Sequence, residues 1–198
     1  MAALLDCVRM GDAARQGEHI DQLVADIRAG VPGAVDRLFA MLYEDFRGQA
    51  HLLLRLGPRH TLCTTELVNE TWLRLSGRSL PVADRVHFFN TAARAMRQLL
   101  IDRARHRHAD KRDGGEALTL RAAADVAAED PFDVLALDRV MADLDRIDAG
   151  LAELAQLHLF GGLDMAEIAE LRGVSERTAF RDWRAARMFL LRFINEAG

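Results

Sequence analysis

The chain is predicted to be all-α, with two helical domains joined by a flexible acidic linker. Three observations lead there. Alternating β-branched runs do not occur, Tyr is single, and the four prolines fall where helices would start or stop. Apolar residues instead recur at helical spacing through most of the chain. Between about residues 113 and 133 that period lapses into Gly, Ala, Asp and Glu, a composition with little to bury.

The elements follow in order. Residues 19–29 form a first helix with Ile20, Leu23, Val24 and Ile27 on one side, closed by Gly30. Residues 34–56 repeat the pattern with Val35, Leu38, Phe39, Leu42 and Phe46 until Gly57-Pro58 ends it. Thr64 or Thr65 caps a helix to Leu75 that buries Leu67, Val68, Thr71, Trp72 and Leu75. After a loop with Ser76, Gly77 and Pro81, residues 85–108 form a long helix burying Phe88 or Phe89, Ala92, Ala93, Met96, Leu99 and Leu100. A helical turn is expected at 118–124, and then helices at 134–144, 148–160, 165–172 and 176–196. Residues 1–18 lack sustained periodicity and read as a loose tail. The domains are therefore expected at 19–112 and 134–198, with 113–133 between them.

With 198 residues, 50% of them hydrophobic, a core is within reach without staples. Cys7 and Cys63 are too few for a disulfide framework, which fits a reducing cytoplasm. No apolar run approaches the roughly 18 residues that span a bilayer, and MAALLDCV is broken by Asp6 and lacks a basic start. The chain is thus expected to be cytoplasmic with no membrane partner. His106 and His108 are too close together and lack a third ligand for a metal. The remaining histidines, His19, His51, His60, His87 and His158, are scattered, and no Gly-rich phosphate loop follows a strand. No catalytic residue, cofactor or metal is expected, and the chain does not read as an enzyme.

A net charge of -4 hides an uneven distribution. From Arg94 to Arg112 lysine and arginine outnumber Asp102 and Asp110, whereas from Asp113 to Glu153 acids outnumber Arg121, Arg139 and Arg146. The acidic centre masks a basic segment on one side and an arginine-bearing helix on the other.

That last helix carries the marks of a helix-turn-helix. Gly161-Gly162 stops the preceding helix, Asp164 caps the next with Glu167 three residues on, and Gly173 allows a tight turn before Ser175 caps the second helix. Ala179, Trp183, Ala186, Leu190 and Phe193 should face the core, leaving Arg177, Arg181 and Arg184 as an outer stripe. Such a stripe suits duplex DNA, because a helix N-terminus attracts phosphate and Arg donates two hydrogen bonds to a guanine edge. For the spacing alone the plainer reading is a solvated face paired with Glu176 or Asp182. The long basic helix places His87, Asn90, Thr91, Arg94, Arg97, Gln98 and Arg105 on or near one outer face, a track for a nucleic-acid backbone with groups able to touch bases.

Taken together, TTELVNETWLRL from Thr64, HFFNTAARAMRQLLIDRARHRHADKR from His87 and MAEIAELRGVSERTAFRDWRAAR from Met165 resemble the ECF (extracytoplasmic function) group of sigma-70 family RNA polymerase sigma factors, over residues from about 19 to 195. The resemblance implies a sigma region 2 bundle followed by a sigma region 4 helix-turn-helix. The first stretch is then the helix that docks on the clamp helices of the polymerase largest subunit, presenting Glu66, Asn69, Glu70 and Leu73. The second melts and reads the -10 promoter element, with bases of the non-template strand pulled from the stack and the loop from Ser76 to Arg85 helping to form the pocket. The third reads the -35 element as duplex, through Ser175, Arg177, Thr178, Arg181, Arg184 and Arg187. The implied partners are core RNA polymerase, through its clamp helices and flap, and promoter DNA, with an anti-sigma factor or a Ser/Thr kinase as further candidates.

Two departures from the pattern stand out. Many relatives have a more acidic docking helix, so phosphorylation of Thr64, Thr65 or Thr71 is a hypothesis for supplying missing charge, ranked behind a capping role for Thr64 or Thr65. Phe180 stands where relatives often have a basic residue, free either to touch a thymine methyl or to pack on the neighbouring helix. The acids Asp125, Glu129, Asp130 and Asp133 are expected to screen the DNA-binding faces of the free protein. A regulator of the response-regulator output type is the alternative function, but it would bring a βαβ receiver that the N-terminal half does not suggest.

Overall fold

The structure, a computed structural model, describes residues 13–56, 63–76, 83–113 and 134–196. The expected helical turn at 118–124 and most of the expected linker lie outside these residues. The described residues form eight helices and no strand: α1 (Ala13–Arg28), α2 (Ala34–Leu56), α3 (Thr64–Ser76), α4 (Arg85–Asp113), α5 (Val134–Ile147), α6 (Ala149–Leu159), α7 (Met165–Arg172) and α8 (Glu176–Glu196).

The helix ends differ from expectation where apolar periodicity is silent. α1 starts at Ala13 rather than His19, because Ala13, Ala14, Arg15 and Gln16 favour helix without marking a buried face. α4 continues past His108 to Asp113 for the same reason. α5 runs beyond Leu144 to Ile147, and Asp148 then caps α6 by accepting from Leu151 N–H. α3 is capped differently from expectation as well. The Cys63 carbonyl accepts from Leu67 N–H and the Cys63 N–H donates to Glu66 Oε2 at 2.8 Å. Cys63 is therefore the cap, and Thr64 and Thr65 lie inside the first turn.

In the N-terminal module Ile20, Leu23 and Val24 of α1 are buried, as are Leu38, Leu42 and Phe46 of α2. Val31 and Pro32 make the turn between these helices, flanked by Gly30 at φ 72° and Gly33 at φ 74°, where a β-carbon would be strained. α3 closes the other side: Trp72 stacks on Phe39 at 4.3 Å between ring centroids, and Tyr43 meets Phe39 edge-on. α4 contributes Phe88, Ala92, Ala93 and Met96, all fully buried. In the C-terminal module Leu137, Met141 and Leu144 of α5, Leu154 and Leu157 of α6 and Ile168 of α7 are buried with Ala179, Trp183, Ala186 and Leu190 of α8.

The two modules do not stand apart. α4 packs against α5, α6 and α7, and the buried apolar residues of both modules belong to one connected cluster. Polar groups bridge the same seam. Gln49 of α2, itself buried, donates to the Leu159 carbonyl, and Arg85 at the start of α4 lies 3.0 Å from Glu170 of α7 and 3.6 Å from Asp21 of α1.

His158 is structural. It is buried, its Nδ1–H donates to the Leu163 carbonyl at 2.9 Å, and its ring meets Trp183 of α8 at 4.3 Å. Burial holds the imidazole below its ordinary value, outweighing the opposing effects of the Leu163 bond and nearby Asp164. An imidazole with a lowered folded pKa is neutral at no penalty above about pH 6.5, and the folded state loses stability as pH falls below that value. Thermal melts followed by circular dichroism should therefore show the melting temperature falling between pH 7 and pH 5.5, with a shallower slope in His158→Gln.

Candidate nucleic-acid and polymerase interfaces

The helix-turn-helix is fixed at each end of α7. Asp164 Oδ1 accepts from Glu167 N–H while Glu167 Oε2 accepts from Asp164 N–H, both at 2.8 Å, a reciprocal capping box. Gly173 follows the helix at φ 63°, and Val174 N–H returns to the Ala169 carbonyl at 2.9 Å, closing the turn in the left-handed conformation that glycine tolerates. Ser175 Oγ then accepts from Thr178 N–H at 3.2 Å, capping α8. Glu167 is partly buried, and burial first, with Asp164 and Asp45 nearby, raises its carboxyl above the usual range against the Asp164 N–H bond and Arg85.

This frame turns one surface of α8 outward. Trp183 is buried, whereas Arg177, Arg181 and Arg184 are exposed and line one open concavity together with Thr178 and Phe180. Phe180 is 51% exposed, so it lies among the arginines rather than packing inward. Arg181 leans on its neighbour, with Nε and a terminal nitrogen 3.2 and 3.0 Å from Asp182 Oδ1, yet its side chain stays 74% exposed. Ser175 is exposed and Arg187 is half-buried on the next turn. The side chain of Phe193 lies outside the described residues.

The face of α4 is arranged otherwise than expected. Arg94, Gln98 and Arg105 are exposed, with Gln98 donating to Asp102 at 2.8 Å. Burial would raise the Asp102 carboxyl, but bonds from Arg74 and Gln98 and the charges of Arg74 and Arg105 outweigh it and hold the group below its ordinary value. His87 is exposed and accepts at Nδ1 from Ala83 N–H, and the half-buried Thr91 donates to the His87 carbonyl. Asn90 and Arg97 are not outward. Asn90 donates to Glu153 of α6, and Arg97, 16% exposed, gives three hydrogen bonds of 2.7 to 3.0 Å to Asp138 of α5 and one of 3.3 Å to Gln156 of α6. The acids that hold them fall inside the acidic stretch noted in the sequence, but on helices rather than in the linker. The loop residues 77–82 and the screening acids Asp125, Glu129, Asp130 and Asp133 lie outside the described residues.

On α3, Glu66 and Asn69 are exposed and Leu73 is 67% exposed, an apolar side chain with no cover. Glu70 is half-buried and lies 2.6 Å from Arg103 of α4, so part of its charge is already answered within the chain. Thr71 cannot be a surface phosphorylation site: it is buried and its hydroxyl donates to the Leu67 carbonyl at 2.7 Å. Thr65 is exposed and Thr64 half-buried. Among the described residues, no group of three or more His, Cys, Asp or Glu is placed to hold a metal ion, and no helix is long and apolar enough to cross a membrane.

A family model described as ECF sigma factor matches residues 16–196, nearly the whole chain. The chain belongs to the ECF sigma factor family. Comparisons with curated proteins and with solved structures returned no match. Sigma factors are initiation factors that bring core RNA polymerase to promoter DNA, so this sigma factor acts in promoter-directed transcription. The response-regulator reading is set aside. Asp164→Ala should remove the side-chain half of the capping box, the acceptor for Glu167 N–H, and lower stability by about 1 kcal/mol, measured by urea unfolding.

Proposed function

We propose that this sigma factor docks on the clamp helices of the polymerase largest subunit through α3, reads -35 duplex with α8, and melts and reads the -10 element with α4. The observation that carries the -35 assignment is the exposed cluster of Arg177, Arg181 and Arg184 behind a capped helix start in a helix-turn-helix. Guanidinium groups on a rigid helix can reach guanine edges in the major groove, with Ser175, Thr178 and Arg187 placed to meet the flanking phosphates. Phe180, half-exposed among them, offers an apolar surface suited to a thymine methyl.

On α3, Leu73 supplies the apolar centre of a docking patch, and Glu66, Asn69 and Glu70 supply polar contacts around it. On α4, His87, Asn90, Thr91, Arg94, Arg97, Gln98 and Arg105 give a separated strand both charge and base-directed donors. Strand opening needs no catalytic group, since contacts to flipped bases and backbone offset an unstacking cost of a few kcal/mol. An anti-sigma factor or a kinase acting on Thr64 or Thr65 is a compatible level of control. A phosphate there would sit in the first turn of α3, where the helix dipole favours negative charge.

Run-off transcription with purified core polymerase, on templates selected from a randomised promoter library, tests this reading. Arg181→Ala should reduce discrimination within the -35 element by about tenfold, a loss of about 1.4 kcal/mol. Leu73→Ala should weaken binding to core polymerase by roughly tenfold while leaving helicity unchanged. Thr65→Glu should strengthen core binding, and unchanged affinity would remove the phosphorylation hypothesis. No transcription with any template would overturn the reading as a whole.

A further inference from the structure

We propose that α8 reads the C5-methyl group of a pyrimidine lying next to a guanine in the -35 element, so that a promoter is recognised by a methyl carbon as well as by guanine. The proposal rests on the assignment of α8 to -35 duplex and names what that surface selects.

Phe180 is 51% exposed, with Arg177, Thr178, Arg181 and Arg184 around it in one concavity. Arginines suit phosphates and guanine edges, but the ring of Phe180 has no hydrogen-bonding group to offer either. In the major groove the apolar group on a base edge is the C5-methyl of thymine, and cytosine gains the same group at the same place when it is methylated. The surrounding cations argue against an apolar protein partner. Seating one on Phe180 would desolvate guanidinium groups without answering their charge, whereas a duplex supplies phosphates for them. A methyl seated on the ring is withdrawn from water, which is worth about fourfold in affinity for one apolar carbon.

Arg181 fixes the neighbouring base. Its Nε and Nη2 both donate to Asp182 Oδ1, at 3.2 and 3.0 Å, and Asp182 is held in turn with Arg172 of α7 at 4.0 Å. This pairing takes the Nε edge of the guanidinium and leaves Nη1 with the outer hydrogen of Nη2, the fork that fits O6 and N7 of guanine. One residue advances a helix by about 1.5 Å against about 3.4 Å for a base step, so Phe180 and Arg181 fall on the same step of the duplex. Arg181 reads the guanine, and Asp182 is the residue that positions it.

Holoenzyme assembled from core polymerase and the full chain tests this by competition binding, on a -35 element selected from a randomised library. Each thymine is replaced in turn by uracil, which pairs identically but lacks the methyl. One replacement, at a thymine beside a guanine, should weaken binding by wild type about fourfold and leave binding by Phe180→Ala unchanged. Phe180→Leu, which keeps apolar surface, should retain part of that penalty. Deazaguanine, in which N7 is a carbon, at the neighbouring guanine should weaken binding by wild type but not by Arg181→Ala. Asp182→Ser should shrink the deazaguanine penalty and keep the uracil penalty, a split that loss of fold would not produce. Cytosine in place of the thymine should bind more weakly, and its C5-methylated form should recover about fourfold. No recovery, with the uracil penalty intact, supports the methyl reading with thymine as the source of the methyl.

A uracil penalty that is absent at every thymine, or that persists in Phe180→Ala, overturns the proposal and leaves duplex reading by α8 standing. Selected elements with no thymine beside a guanine do the same. If Arg181→Ala and Phe180→Ala both discriminate among -35 elements as the wild type does, α8 is not the reader, and the proposal falls with that assignment.

Discussion

The placement of α4 between two sets of helices is the constraint on which the other features depend. One side of this helix carries Phe88, Ala92 and Met96 into the N-terminal core, where any polar substitute would be buried without a partner. Another side meets α5, α6 and α7, and there Arg85, Asn90 and Arg97 add polar contacts to the apolar ones. A helix has one circumference, so residues not given to the apolar stripe are divided between the seam and solvent. Arg94, Gln98 and Arg105 fall to solvent, and Arg103 turns to Glu70 of α3.

The same constraint explains how a chain of net charge -4 carries two basic helix faces in different settings. On α8 the arginines project from a scaffold held by backbone caps at Asp164, Gly173 and Ser175, and their acidic neighbour Asp182 lies beside Arg181 without covering it. On α4 the acids come from another module and do cover what they pair with. Paired charges across a partly buried seam are sensitive to loss of one partner, whereas the exposed pair on α8 contributes little to stability. The two faces thus differ in accessibility although their residue types are alike.

Much of this was legible in the sequence. The helix-turn-helix could be read from Asp164, Glu167, Gly173 and Ser175, because capping chemistry is local and survives into the fold unchanged. The inward turn of Trp183 and the outward turn of Arg177, Arg181 and Arg184 follow from helical period alone. What periodicity does not carry is which polar residue meets which across long separations. Asp138 and Glu153 look like surface acids beside a linker, and only the packing of α5 and α6 on α4 turns them toward Arg97 and Asn90. Thr71 was legible as buried, but its threonine neighbours were misread as caps because Glu66 answers the Cys63 N–H instead.

The continuous apolar cluster has a further meaning for how the molecule comes apart. Two modules that share a hydrophobic interior do not melt independently: heat or denaturant that loosens α5 and α6 also strips cover from α4, and the whole unravels in one cooperative step. Once the seam is released, each bundle must rely on its own smaller interior and the transition divides in two. The hold of α4 on both sets of helices is thus what makes one body of them, and a change that weakens it anywhere is felt throughout.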